Sequence, residues 1–360
     1  MENMAVTDEV LSFYKGRRVF ITGHTGFKGT WLTRILRGAG AVLKGYALAP
    51  PAGELSLFRL VPPAEDLISV VGDIRDFALL QREFAEFEPE IVFHLAAQPL
   101  VRQSYLSPRE TYETNVMGTV NLLECCRRAK TARSVLNVTT DKVYENKEWC
   151  WGYREDETLN GYDPYSNSKS CSELATQTYA RSFLTERGVA VSAARAGNVI
   201  GGGDFAAERI IPDCVRAAIK GEPILLRYPG STRPYQHVLE PLFAYLLIAA
   251  RQYEDPVYAG CYNVGPDEAD CYKTGDLADL FCRFWAGARW ERQDPAAAEG
   301  HEAGFLKLDC SKLKAVMGWR PRWDIETAVA KTAEWYQAWH DGGDLGACMD
   351  EQIAAYRSVL

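Results

Sequence analysis

The first two hundred residues alternate short, unbroken apolar runs with stretches whose apolar positions recur every three or four residues. Arg18–Thr22, Val42–Ala47, Ile68–Val71, Ile91–Leu95, Ser134–Val138 and Val189–Ala194 read as strands. Gly29–Arg37, Phe77–Phe87, about Pro108–Arg128 and about Ser166–Arg187 read as helices between them. The third of these helices has a marked start: Ser107 as N-cap, Pro108 in the first position and Glu110 three residues after the cap. Strands apolar on both faces, alternating with helices, predict a doubly wound parallel sheet of the α/β class. After Gly201 the rhythm changes to short elements and proline-containing loops: Ile210–Lys220, Ile224–Leu226, Leu239–Ala250 and Thr274–Trp285. A short helix, a turn and a long helix close the chain. The division this predicts is a nucleotide-binding domain over 1–200 and a smaller mixed α/β substrate lobe over 201–360, with the chain crossing between them.

Composition narrows the function classes. The chain has 360 residues, 47% of them hydrophobic, and a formal charge of −8, which suits a soluble enzyme-sized core. No run of lysine or arginine offers a footing for nucleic acid or an anionic membrane. The acidic opening MENMAVTDEV lacks a signal-peptide core, and no segment reaches 18 uninterrupted apolar residues, so a cytoplasmic location is expected. Ten cysteines are scattered without a C-x-x-C pair, and the five histidines are isolated; reduced thiols and no metal are expected.

FITGHTGFKGTWL places Gly23, Gly26 and Gly29 between the first strand and the first helix. Glycines there allow a tight turn and close backbone approach, and the helix N-terminus offers free N–H groups to a pyrophosphate. The fold read from this setting is Rossmann-type. About 20 residues further on, where an acid would hold the adenosine ribose, stands Ala49. No Arg or Lys lies between Gly45 and Leu57 to meet a 2′-phosphate either, which tips the reading to NAD. YSNSK sets Tyr165 and Lys169 one helical turn apart on one face. Ionising a free tyrosine at pH 7 costs roughly 4 kcal/mol, and a neighbouring ammonium lowers that cost. The strand before them ends in TTDKVYEN, with Thr140, Asp141 and Lys142 in a row. Neighbours on an ideal strand face opposite ways, so Asp141 and Lys142 reach one substrate only if the backbone bends there.

GHTGFKGTWL, NVMGTVNLLE, TTDKVYENKEWCWGYRE, YDPYSNSKSCSEL, RAGNVIGGGD and RPYQHVLEP together resemble the extended short-chain dehydrogenase/reductase family. Within it they are similar to the CDP-glucose 4,6-dehydratases, over about residues 15–340. The dTDP-glucose dehydratases carry Asp-Glu where this chain has Asp141-Lys142. The resemblance implies an NAD cofactor held by Gly23, Thr25, Gly26, Phe27, Lys28 and Gly29. Asp73 and Ile74 would flank its adenine. Leu95, Ala96, Ala97 and Gln98, with Thr139, Tyr165 and Lys169, would line its path to the nicotinamide. It implies oxidation of the sugar at carbon 4 by Thr140, Tyr165 and Lys169, then loss of water across carbons 5 and 6. Asp141 is read as the acid and Lys142 as the base of that elimination, and the hydride returns to carbon 6. Asn198, Arg209, Arg233 and His237 would bind the substrate, CDP-glucose, whose cytosine rests on the resemblance alone. His237 and Glu240 would shape the base pocket or close the lobe. The two long helices would pair copies into a homodimer or homotetramer, and the product would feed deoxysugars of a surface polysaccharide. Two other readings stay open: a 4-epimerase of the same fold, and a non-catalytic NAD-sensing protein. Trp319, Trp323, Trp335 and Trp339 are expected to pack, and no proton-transfer task is seen for His24 or His94.

Overall fold

The computed structural model describes residues 2–293 and 304–359. Seven strands form the main sheet: β1 (Arg18–Thr22), β2 (Val42–Ala47), β3 (Leu67–Val71), β4 (Ile91–His94), β5 (Ser134–Thr140), β6 (Ala190–Ala196) and β7 (Cys261–Val264). They lie in the order β7-β6-β5-β4-β1-β2-β3, and every pairing is parallel. Strand order reverses between β1 and β4, where a doubly wound sheet opens a crevice at its carboxyl edge. The pleat feeds two cores. Val19, Ile21, Ile91, Phe93, Leu136 and Val138 enter one; Phe20, Val92, Val135 and Val191 enter the other.

The chain beyond residue 201 re-enters this sheet as β7. It also supplies the Leu239–Glu254 helix, which lies against β5 and β6 and is buried along almost its whole length. Ser134 on β5 donates to the carbonyl of Ala249 on that helix at 2.8 Å. This explains why the helix is apolar all round and runs four residues past its expected end.

Other boundaries moved for local reasons. β5 continues through both threonines, whose branched side chains suit a strand. Ser107 does not cap with its side chain. A Val101–Leu106 helix ends on it, and its hydroxyl instead accepts from Gln103 at 3.3 Å. Pro108–Arg128 is helical throughout but widens over Glu113–Met117. The next helix begins two residues early, at Pro164, because Asp163 caps it through the Ser166 amide at 2.9 Å. It ends as regular helix at Tyr179, and wide and tight turns carry it to Arg187.

Glu240 closes the C-terminal lobe onto this framework. Its carboxylate accepts from the amides of Arg322 at 2.9 Å and Trp323 at 2.7 Å, and from the Tyr356 hydroxyl at 2.8 Å. Trp319, Trp323 and Trp335 are buried in the same core, which makes them packing residues. Burial raises the Glu240 carboxyl to about 7, against the pull of those donors. A raised acid favours the folded state when protonated. Its contribution is therefore complete below an unfolded value of about 4.3 and lost as pH rises through about 7. Thermal melts from pH 4.5 to 7.5 should show Glu240→Gln with a shallower decline in stability than the parent protein; parallel declines would exclude the assignment.

Candidate active site

The glycine loop packs directly on the end of β4. Gly23 has φ +76°, and a Cβ there would stand 2.8 Å from the Ala96 amide nitrogen. A Cβ on Gly29 would stand 2.1 Å from the Gly23 carbonyl oxygen. Gly26 is exposed and begins the Phe27–Gly38 helix, whose first turn has neither a side-chain cap nor an acidic residue. Open amides at a helix start, with glycine on the approach, fit a dinucleotide pyrophosphate. Thr25 donates to the Leu48 carbonyl at 2.9 Å, and Phe27 rests beside Gly201. Burial lowers Lys28 to about 7, and Arg209 and Lys169 push it further in the same direction. These three cations therefore share one neighbourhood.

Around the crevice, Asp73 is gripped by Arg75, whose side chain draws the carboxyl down. Ile74 is buried in the second core, against Gly118. Leu95 and Ala96 turn back over Thr22, and Ala97 follows them. The Gln98 amide donates to Asn115 at 2.8 Å and its side chain to Thr111 at 3.0 Å. His94 is sandwiched between Thr22 at 2.7 Å and Thr119 at 3.0 Å, and burial depresses it to about 3. His24 lies 2.7 Å from Ser69 and is depressed to about 4 by burial. Both are neutral structural histidines.

At the end of β5 the two threonines part company. Thr139 turns into the protein and donates to Glu173 at 3.1 Å. Thr140 turns into the crevice, donates to the Asp141 carboxylate at 2.9 Å and caps a one-turn 3-10 helix over Asp141–Val143. That turn is the bend an ideal strand lacks. Asp141 is 2% exposed, and its Oδ2 has no partner among the described residues. Burial raises its carboxyl, opposed by Lys142, Thr140, Arg233 and Lys28. Lys142 follows, half-buried.

The Pro164–Tyr179 helix brings Tyr165 and Lys169 to the same point. Burial raises the Tyr165 phenol to about 12, while hydrogen bonding with Thr140 and the charge of Arg209 draw it down. Lys169 donates to the Val138 carbonyl at 2.9 Å; burial lowers it to about 8, and Glu173 raises it. Thr140, Asp141, Lys142, Tyr165 and Lys169 are thus collected at the carboxyl end of one strand.

The second lobe brings arginines to this cluster. Arg209 pairs with Asp204 at 2.8 Å and lies close enough to Tyr165 for each to influence the other. Arg233 is 2% exposed and bears on Asp141. The Asn198 carbonyl accepts the Gln236 amide at 3.0 Å, which seats Asn198 beside the Arg233 segment. His237 is fully buried between Trp31 and Trp323, with ring centroids 6.1 and 4.9 Å away. Glu240 holds the lobe closed, one of the two tasks expected of it. Sequence reading missed Glu173, Arg195 and Tyr144. A charged Arg195 inside the wholly buried strand AVSAARA was the available signal.

The family model described as GDP-mannose 4,6 dehydratase matches residues 20–332. This chain belongs to that family. A CDP-glucose 4,6-dehydratase of Salmonella typhimurium is 46% identical over 355 residues, covering 97% of this chain and 98% of that protein. A dTDP-glucose 4,6-dehydratase of Streptomyces antibioticus is 31% identical, covering 89% of this chain and 92% of that protein. Among solved structures, the UDP-glucose 4-epimerase of Thermus thermophilus in complex with NAD superposes with a TM-score of 0.77 at 26% identity, over 89% of this chain and 99% of that one. The dehydratase fold here is thus the extended short-chain dehydrogenase/reductase fold.

A buried acid with an unpartnered oxygen is held against the preference of the fold. For Asp141→Asn, calorimetry near neutral pH should give a melting temperature equal to or above that of the parent. A fall of more than about 4 °C would mean that Asp141 is retained for stability.

Proposed function

We propose that this chain is an NAD-dependent hydro-lyase that converts CDP-glucose to CDP-4-keto-6-deoxyglucose. One observation carries the reading: an acid–base pair, Asp141 and Lys142, sits on a turn beside Tyr165 and Lys169. Alcohol oxidation alone has no use for that pair. The full-length likeness to a CDP-glucose 4,6-dehydratase supports the substrate.

When bound, NAD would supply reversible hydride chemistry, linking oxidation at carbon 4 to reduction at carbon 6. Tyr165 accepts the proton of the 4-hydroxyl, with Thr140 orienting that hydroxyl. Lys169 steadies the phenolate and is placed for the ribose next to the nicotinamide. The ketone at carbon 4 acidifies the hydrogen on carbon 5, which Lys142 removes. Asp141 gives its proton to the 6-hydroxyl as the carbon–oxygen bond breaks and water leaves. Burial, by raising the Asp141 carboxyl, favours the protonated form this step requires. Lys142 returns a proton to carbon 5 when carbon 6 receives hydride.

Gly23, Gly26, Gly29 and Lys28 would hold the pyrophosphate of NAD, with Asp73 and Ile74 toward its adenine. Arg233 and Arg209 would take the sugar diphosphate, since a guanidinium binds two oxygens at once. Asn198 would complete that grip. In this reading residues 1–200 serve the cofactor and 201–360 mainly the nucleotide sugar. The working form is a cytoplasmic homodimer or homotetramer joined across the two long helices, on which Met117 and Leu174 are half exposed. Among the described residues, no helix is long and apolar enough to cross a membrane.

Purified protein and its Lys142→Met variant, each given CDP-glucose and NAD, separate the readings by product mass and nicotinamide absorbance. The parent should form a product lighter by one water. The variant should still reduce the cofactor but lose water about 10²-fold more slowly or worse. An isomer of unchanged mass would identify an epimerase, and undiminished water loss in the variant would remove Lys142 as base.

A further inference from the structure

Behind the catalytic turn lies a charged pair that the chemistry above does not use. Glu173 and Arg195 are 0% and 1% exposed as side chains. Arg195 Nε donates to both Glu173 oxygens, at 2.9 and 3.0 Å, and its Nη2 meets the same carboxylate. Glu173 stands one turn after Lys169 on the catalytic helix, and Arg195 stands on β6. Two fully desolvated charges are costly, and apolar residues of similar volume would often be as stable.

Both ends of the catalytic turn are tied to this pair. On the near side, Thr139 donates to Glu173 at 3.1 Å. On the far side, Arg195 Nη1 donates to the Tyr144 hydroxyl at 2.6 Å, with the guanidinium 4.8 Å from the ring centroid. That hydroxyl in turn donates to Asn263 on β7 at 2.6 Å. Asp141 and Lys142 lie between Thr139 and Tyr144. The turn is therefore suspended between two points of one rigid ionic frame, which spans the helix, β6 and β7.

We infer that Glu173 and Arg195, acting through Thr139 and Tyr144, are positioning residues that hold Asp141 and Lys142 in register with carbons 5 and 6 of the sugar. The inference rests on the dehydratase reading. It separates the two halves of the reaction: Tyr165 and Lys169 have their own anchors in the Asp163 cap and the Val138 carbonyl, so oxidation at carbon 4 does not depend on Tyr144.

Tyr144→Phe tests it, because the ring and its packing on Tyr153 remain while the hydroxyl between Arg195 and Asn263 is lost. Single turnovers of parent and variant with CDP-glucose are followed by nicotinamide absorbance and quenched product mass. The expected variant reduces its cofactor within about twofold of the parent rate but forms dehydrated product at least about tenfold more slowly, so reduced cofactor accumulates. Equal slowing of both steps, or no slowing of either, overturns the inference. Arg195→Lys should recover part of the elimination rate that Arg195→Met loses; if those buried variants fail to fold, Tyr144→Phe still decides. A parent that reduces cofactor yet releases no dehydrated product removes the underlying reading, an outcome visible before any variant is compared.

Discussion

The helix that carries Tyr165 and Lys169 is fastened to β5 by a column of side-chain bonds, and the register of that seam sets where Thr140, Asp141, Tyr165 and Lys169 stand relative to one another. Asn137 donates to Ser172 at 3.0 Å and to Thr176 at 2.8 Å. One residue on, the Val138 carbonyl receives Lys169, and Thr139 reaches Glu173. At the last residue of the turn, Ser170 donates to the Val143 carbonyl at 2.7 Å. Strand and helix cannot slide without breaking all of these at once, in a buried place where each lost partner would stay unsatisfied. Thr140 ends the strand, and Asp141 and Lys142 follow it in the turn.

This seam is polar, and it concentrates costs. Lys169 and Asp141 are both held in surroundings that disfavour their charged forms, in opposite chemical directions. The sheet itself is ordinary by comparison: apolar on both faces, closed on one side by the Leu239–Glu254 helix and locked to the C-terminal lobe through Glu240. Stability is supplied by that framework, while the seam spends part of it on geometry.

Much of this was legible along the chain. Unbroken apolar strands alternating with helices predicted the parallel sheet, and the glycine loop stands between β1 and the first helix of that sheet, where the spacing put it. Local patterns could not reveal what distance in sequence creates. β7 arrives some sixty residues after β6, and nothing in its four residues announces that it joins the sheet. His237 sits in a motif-like run, yet only the approach of Trp31 and Trp323 shows that it packs. The bend at Asp141–Val143 comes from Thr140 capping the turn through the Lys142 amide, a side-chain bond that periodicity does not register.

In the proposed mechanism, two sets of groups held by one seam act in turn on a sugar bound once. Substrate carrying deuterium on carbon 4 tests it directly. A single turnover in ordinary water, with product read by nuclear magnetic resonance, should place the deuterium on carbon 6 of a 4-keto-6-deoxy sugar. Deuterium retained on carbon 4, or lost to solvent, would mean that no hydride passes from carbon 4 to carbon 6.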